Sequence, residues 1–150
     1  MAIRVDIVSD THGHLSAELR TALAGCDVLV HAGDLTSEAD WAELSVSAPE
    51  VHAVLGNNDF YYDYEPEVAQ TAAFTVDGVR FGVAHYREEI PRGVQVAVCG
   101  HTHRAVVEWR GDGVLVNPGS ASYPRGMRGP TIARVFIDAG RVLSAEIVDL

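Results

Sequence analysis

Hydrophobic positions along the chain fall into short runs, and the runs change character about halfway. Ile3–Val8, Val28–His31 and Val51–Leu55 are nearly continuous apolar stretches rather than apolar–polar alternations. Such strands suit a parallel sheet buried on both faces by helices. Between the first two, Leu15, Leu19, Ala22 and Leu23 recur at helical spacing, predicting a helix over Leu15–Ala24 with Gly25 as its stop. A second helix is expected from Ser37, with Asp40 three residues on as a capping-box partner, Trp41 and Leu44 as apolar positions, and an end before Pro49. From Thr71 onward the pattern turns to hairpins. Asp77-Gly78 separates Ala73–Val76 from Val79–Val83, Asp112-Gly113 separates Ala105–Trp109 from Val114–Val116, and Ala139-Gly140 separates Thr131–Ile137 from Val142–Val148. Val94–Val98 is a further run, and the second half is expected to be mostly antiparallel. Neither half makes a comfortable domain alone. The expectation is one α/β domain over residues 1–150, a two-sheet β-sandwich flanked by helices, without repeats or linkers.

Composition narrows the setting. No apolar run approaches the ~20 residues of a membrane span, and the chain enters a strand pattern at once, so no membrane partner is expected and a cytoplasmic location is the default. Cys26 and Cys99 have neither metal nor redox spacing and read as buried thiols. The formal charge is −10, and all 11 basic residues are Arg. That balance argues against general nucleic-acid binding, which needs a basic surface. Bound cations would offset part of it; the rest suits either a solvating surface of the salt-adapted kind or a bias of genomic base composition.

Chemistry concentrates where the runs end. Asp10-Thr11-His12, Gly33-Asp34, Gly56-Asn57-Asn58-Asp59, Ala84-His85, Gly100-His101-Thr102-His103 and Asn117-Pro118-Gly119-Ser120 each follow or adjoin an apolar run. Ligands of open α/β sheets bind beyond the carboxyl ends of strands, so these segments are placed on one edge. Asp10 and Asp34 supply carboxylates, Asn57 an amide oxygen, and His12, His85, His101 and His103 imidazoles. A mixed oxygen–nitrogen set suits Mn, Fe, Co, Ni or Zn. It lacks the thiolates of a structural zinc site.

This ordered set resembles the calcineurin-like metallophosphoesterase superfamily, and within it the small bacterial and archaeal phosphodiesterase branch. There Ser9-Asp10-Thr11-His12-Gly13, His31-Ala32-Gly33-Asp34 and Asn117-Pro118-Gly119-Ser120 have counterparts; the resemblance spans about residues 5–125. It implies a β-sandwich flanked by helices and two divalent ions, with Mn favoured. Asp10, His12, Asp34 and His103 would hold one ion, and Asp34, Asn57, His85 and His101 the other, with Asp34 bridging. It implies hydrolysis of small phosphodiesters by a hydroxide activated between ions ~3.5–4 Å apart. Asp34, His12 and Asn58 are the expected catalytic positions. Two departures stand out. Asn58 occupies a position where many relatives carry His, able to protonate the leaving group, and the small branch often Cys. An amide cannot act as a general acid near neutral pH, which predicts a preference for good leaving groups. Tyr86 stands where relatives usually have Gly, and Tyr86–Gly93 is short where relatives often have a helix. The cleft is then more open, or takes its wall from a second subunit of a homo-oligomer.

Competing readings are a phosphomonoesterase or nuclease of the same chemistry, and a non-catalytic scaffold. One eukaryotic vesicle-coat scaffold subunit shares this fold and works chiefly by binding proteins. Loss of the acid at Asn58 weakens the monoesterase reading, acidity weakens the nuclease reading, and intact ligand positions weaken the scaffold reading. Elsewhere, His31 and His52 are expected to be hydrogen-bonded structural residues, His14 to lie at a helix start, and Asp59 to orient a ligand or the Asn57 loop. Asp6 and Asp27 read as ordinary polar positions. Asn117–Ser120 either supports the His101–His103 loop or is a plain turn. Arg104, Arg125 and Arg128 either meet phosphate or face solvent. Tyr61, Tyr62 and Tyr64 either stack on substrate or pack over the sheet edge.

Overall fold

The computed structural model describes residues 1–150. Ten strands and two short helices follow in the order β1 (Ile3–Val8), α1 (Ala17–Leu23), β2 (Val28–His31), α2 (Glu38–Leu44), β3 (Glu50–Ala53), β4 (Thr71–Val76), β5 (Val79–Ala84), β6 (Val96–Val98), β7 (Ala105–Arg110), β8 (Gly113–Pro118), β9 (Thr131–Asp138) and β10 (Arg141–Asp149). They form two five-stranded sheets, β10-β9-β1-β2-β3 and β4-β5-β6-β8-β7. None of the helices is long and apolar enough to cross a membrane.

The apolar runs are explained by burial on both sides. Val5, Ile7, Val28 and Val30 face Phe81, Val83, Val96, Val98, Val114 and Val116 across the sandwich. On the outer side of the first sheet, Val8, Leu29 and Ile132 pack against Leu19 and Leu23 of α1 and Trp41 and Leu44 of α2. Each helix has seven residues, too short to persist alone. Burial of two large side chains per helix, at roughly 1.5–3 kcal/mol each, is what holds them. Helix α1 starts two residues later than its apolar spacing suggests, because Ser16 caps it through the Leu19 N–H. Gly25 follows its end at φ +85°, as expected of a helix stop. Ser37 caps α2 through the Asp40 N–H. The reciprocal half of the expected capping box is missing: Asp40 Oδ2 is buried without a partner. An Asp is one carbon shorter than the Glu or Gln that the motif requires.

The second half departs from the antiparallel expectation at its centre. The outer pairs β4–β5 and β7–β8 are hairpins, but β5–β6 and β6–β8 are parallel. Strands β9 and β10 belong to the first sheet instead, β9 antiparallel to β1 and β10 antiparallel to β9. Turn residues reveal hairpins but not which strands a crossover joins, so the parallel centre was hidden. It matters for the site. Val8, His31 and Ala53 are level in the first sheet, and Val83, Val98 and Val116 are level in the second. Six strands thus deliver their carboxyl ends to common edges.

Asp6 is not an ordinary polar position. It is fully buried and accepts from Arg4 Nη2 at 2.7 Å and Arg134 Nε at 2.8 Å. Its neighbours in β1 are core residues, which masked this role in the sequence. The helices lie over the first sheet only. Over the second runs Tyr86–Gln95, with a single 3₁₀ turn at Arg87–Glu89. A Cβ on Gly82 would meet Val94 Cγ1 at 3.0 Å and the Pro91 carbonyl at 3.1 Å, so the covering segment needs glycine beneath it.

Candidate metal centre

Loops leaving β1, β2, β5 and β6 converge at the shared edge. Asp10 is fully buried, Asp34 and His85 are nearly so, and His12 and His101 are partly open. His12 Nε2 lies 3.7 Å from Asp10 Oδ1, 3.5 Å from Asp34 Oδ2 and 3.3 Å from His103 Nε2. His103 Nε2 lies 3.3 Å from Asp10 Oδ1, and His85 Nε2 lies 3.4 Å from Asp34 Oδ2. Two compact donor groups result, Asp10–His12–His103 and Asp10–Asp34–His85. They share Asp10, whereas the resemblance names Asp34 as the common residue. Asp34 Oδ2 nonetheless faces both His12 and His85. His101 and Asn57 stand outside the compact groups but beside each other, with His101 Nδ1 3.3 Å from Asn57 Oδ1. Asn58 donates to Asp34 twice, through its backbone N–H and through Nδ2, each at 3.0 Å.

These donors fit a cation. Asp10 Oδ1 and His85 Nε2 are buried with no hydrogen-bond partner, although each such orphan costs roughly 1–3 kcal/mol. The opposite ring nitrogens of His85 and His103 are engaged. His85 Nδ1 donates to the Ala32 carbonyl at 2.8 Å. His103 Nδ1 donates to the Tyr123 carbonyl at 2.5 Å. Both rings therefore turn a bare Nε2 toward the carboxylates, the orientation a metal requires. Burial pushes the Asp34 carboxyl up, but His85 and the two Asn58 donors outweigh it and hold the group below the usual carboxylate range. Burial likewise depresses His85, and the adjacent Asp34 and Asp10 carboxylates reverse the sign and raise it.

Backbone strain marks the same place. Asp10, His12, Asp34, His101 and His103 all adopt positive φ, between 47° and 71°. The left-handed region costs a residue with Cβ about 1–2 kcal/mol, and such outliers gather at functional sites. Surrounding hydrogen bonds sustain them. Asp10 N–H donates to the Gly33 carbonyl and His12 N–H to the Asp34 carbonyl. Fully buried Asp59 accepts from the N–H groups of Asp34 and Gly56, each at 2.7 Å, from Thr36 at 2.9 Å and from the Tyr64 hydroxyl at 2.6 Å. Asn117 Nδ2 donates to the Gly100 carbonyl and to Thr102 Oγ1, so the Asn117–Ser120 turn supports the His101–His103 loop.

Other singled-out residues separate by position. His31 is fully buried, accepting from Gly33 N–H at Nδ1 and meeting Thr11 Oγ1 at Nε2. His52 stacks on Phe74 across the two sheets, and His14 is exposed, short of the site. Tyr64 is buried on Asp59, while Tyr61 and Tyr62 remain exposed. Arg128 pairs with Asp149; Arg104 and Arg125 are exposed. Ser9 and Ser120, present in the motifs but given no role from the sequence, bond the Asp10 carboxylate and carbonyl. The sequence reading also passed over the glycine approaches. A Cβ on Gly33 would meet His85 Nδ1 at 2.6 Å and the Gly56 nitrogen at 2.8 Å. Their recurrence immediately before ligand-type residues is the signal that was present.

With this geometry in hand, the comparisons with known proteins agree. Residues 3–140 match the calcineurin-like phosphoesterase superfamily domain, and the chain belongs to that family. A protein of Methanothermobacter thermautotrophicus named "probable metallophosphoesterase" is 33% identical, over 96% of this chain and 91% of its own length. One of Methanocaldococcus jannaschii named a phosphodiesterase is 28% identical, over 97% of this chain and 99% of its own. Among solved structures, the phosphoesterase Yfce of E. coli superposes with a TM-score of 0.70 at 26% identity, covering 96% of this chain and 98% of that one. Vacuolar protein sorting 29 of Cryptosporidium parvum gives 0.79 at 16% identity, covering 99% of both, which shows the shared fold alone.

Proposed function

We propose that this protein is a metal-dependent phosphodiesterase acting on small phosphodiesters, working as one domain over residues 1–150. The observation that carries the metal is the pair of buried, partnerless atoms, Asp10 Oδ1 and His85 Nε2, facing each other's neighbours in one cluster. Asp10, His12, Asp34 and His103 would hold one divalent ion, and Asp34, Asn57, His85 and His101 a second, with Asp34 between them. Mn is favoured; Fe, Co, Ni or Zn suit the same donors. When bound, the ions lower the pKa of a water and neutralise charge on the phosphate oxygens.

The protein's own groups then divide the work. Asp34 orients His12 and His85 from between them, and Asp59 and Asn58 hold Asp34 in its left-handed turn. Asn58, at the rim, donates hydrogen bonds to substrate oxygens once released from Asp34, but has no proton to give a leaving alkoxide. Good leaving groups are therefore favoured, and the absence of an acid weighs against monoesters of ordinary alcohols. The M. jannaschii relative named a phosphodiesterase supports the same reading. The charge of −10 disfavours long polyanions.

The test is hydrolysis of bis-p-nitrophenyl phosphate against p-nitrophenyl phosphate by metal-stripped protein resupplied with Mn²⁺. Activity should appear only with metal and favour the diester. A folded protein inactive with every divalent metal tried would overturn the assignment.

A further inference from the structure

Beside the metal centre, on the outer face of the second sheet, lies a cleft of about 220 Å³. Leu115 of β8 and Cys99 floor it; Tyr86 and Val106, the latter on edge strand β7, wall it. The covering segment closes tightly over Gly82 and reaches β7 only through the Arg87 side chain, which pairs with Glu108. Gly100 and His101 border the cleft on the side of the centre: a Cβ on Gly100 would fall 2.8 Å from Asp10 Oδ2. The Tyr86 ring leans on His101, centroids 4.6 Å apart, so the wall of one is buttressed by a residue of the other.

We propose that this cleft receives the retained ester substituent of the phosphodiester and selects an uncharged planar ring there. The inference rests on the phosphodiesterase reading. Size comes first: drug-sized ligands need roughly 300–1,000 Å³, so this space suits a single ring or base. Chemistry comes second. Asn117 is engaged by Gly100 and Thr102, leaving the floor few free hydrogen-bonding groups. Charge comes third. Arg87, the cation at the mouth, is paired with Glu108 at 3.5 Å, and Glu88 adds another acid. A second phosphate or carboxylate would meet repulsion. Position comes last: neither Asn57 nor Asn58 borders the cleft, so the leaving oxygen faces the Asn58 side and the retained group lies here.

Two diesters with one leaving group and one charge test this, bis-p-nitrophenyl phosphate and methyl p-nitrophenyl phosphate. The native protein should prefer the aryl diester in kcat/KM by roughly ten- to a hundredfold, the value of burying a ring. Val106→Trp, at an exposed edge-strand position, should fill the cleft and collapse that ratio toward one, mainly through KM; Tyr86→Gly should reduce it by removing a wall. Circular dichroism checks that each variant folds. On metal-free protein, phenol should shift the methyl resonances of Val106 and Leu115. An active protein whose aryl-to-methyl ratio is unmoved by both variants, or methyl resonances unmoved by phenol, would overturn the cleft assignment and leave the hydrolase standing. A native protein inactive on both diesters would overturn the phosphodiesterase reading and this inference with it.

Discussion

Asp59 ties the loop after β2 to the loop after β3 through four hydrogen bonds shorter than 3 Å. Asp59→Asn swaps one acceptor for a donor facing buried N–H groups. It should cost about 2–4 kcal/mol in urea unfolding and weaken metal binding roughly 10–100-fold in equilibrium dialysis. Asn58 makes the complementary case. Asn58→His restores a titratable group, and should raise kcat/KM for esters with poor leaving groups, relative to p-nitrophenyl esters, by at least ~10²-fold. An unchanged ratio would place the leaving group elsewhere. His31 is held neutral by burial, its pKa pulled down to about 4 from 6.5. Between those values the unfolded chain binds a proton that the folded one does not. The contribution of His31 to stability is therefore fully present above about 6.5 and is lost as pH drops toward 4. Urea unfolding of metal-free protein should show this slope, reduced in His31→Gln. At this scale the sequence was informative about identity and poor on conformation. Asp10, His12 and Asp34 stand out by type and order, yet nothing in their letters announces a left-handed backbone. The buried pairing of Asp6 was equally hidden, since its partner Arg134 lies 128 residues away on the neighbouring strand.

At the level of elements, turns were more legible than pairings. Asp77-Gly78 and Ala139-Gly140 both place two residues at positive φ, the backbone of tight hairpin turns. Ala139 is the poorly chosen one, at φ 46° without a side chain that tolerates it. Ala139→Asn should raise stability by about 1 kcal/mol in thermal or urea unfolding, and a loss would mean the side chain meets something on the β9–β10 turn. Gly33 is the opposite extreme, at φ +104° with no room for a methyl group. Gly33→Ala should destabilise by about 2–4 kcal/mol and abolish metal binding by displacing His85. Strand runs were read nearly to their ends because they are buried on both faces. The parallel centre of the second sheet was not, because connection handedness and strand order depend on contacts distant in sequence.

For the whole molecule, the net charge of −10 on 150 residues means self-repulsion that no single ion pair reveals. Unfolding free energy should rise as KCl approaches ~1 M, where the Debye length falls to ~3 Å; a flat response would show the acidic surface already balanced. Strand β1 carries Asp10 at its end and lies between β2, reached within about 25 residues, and β9, reached only after the second sheet has been traced. A chain emerging from the ribosome therefore holds the start of its metal centre with one flank of β1 unpaired, while β4 to β8 are still being made. Long-range pairings of this kind fold slowly and leave an open strand edge in the meantime. The same connectivity that gathers six strand ends around one centre thus makes the nascent first sheet the stage of biosynthesis most exposed to aggregation.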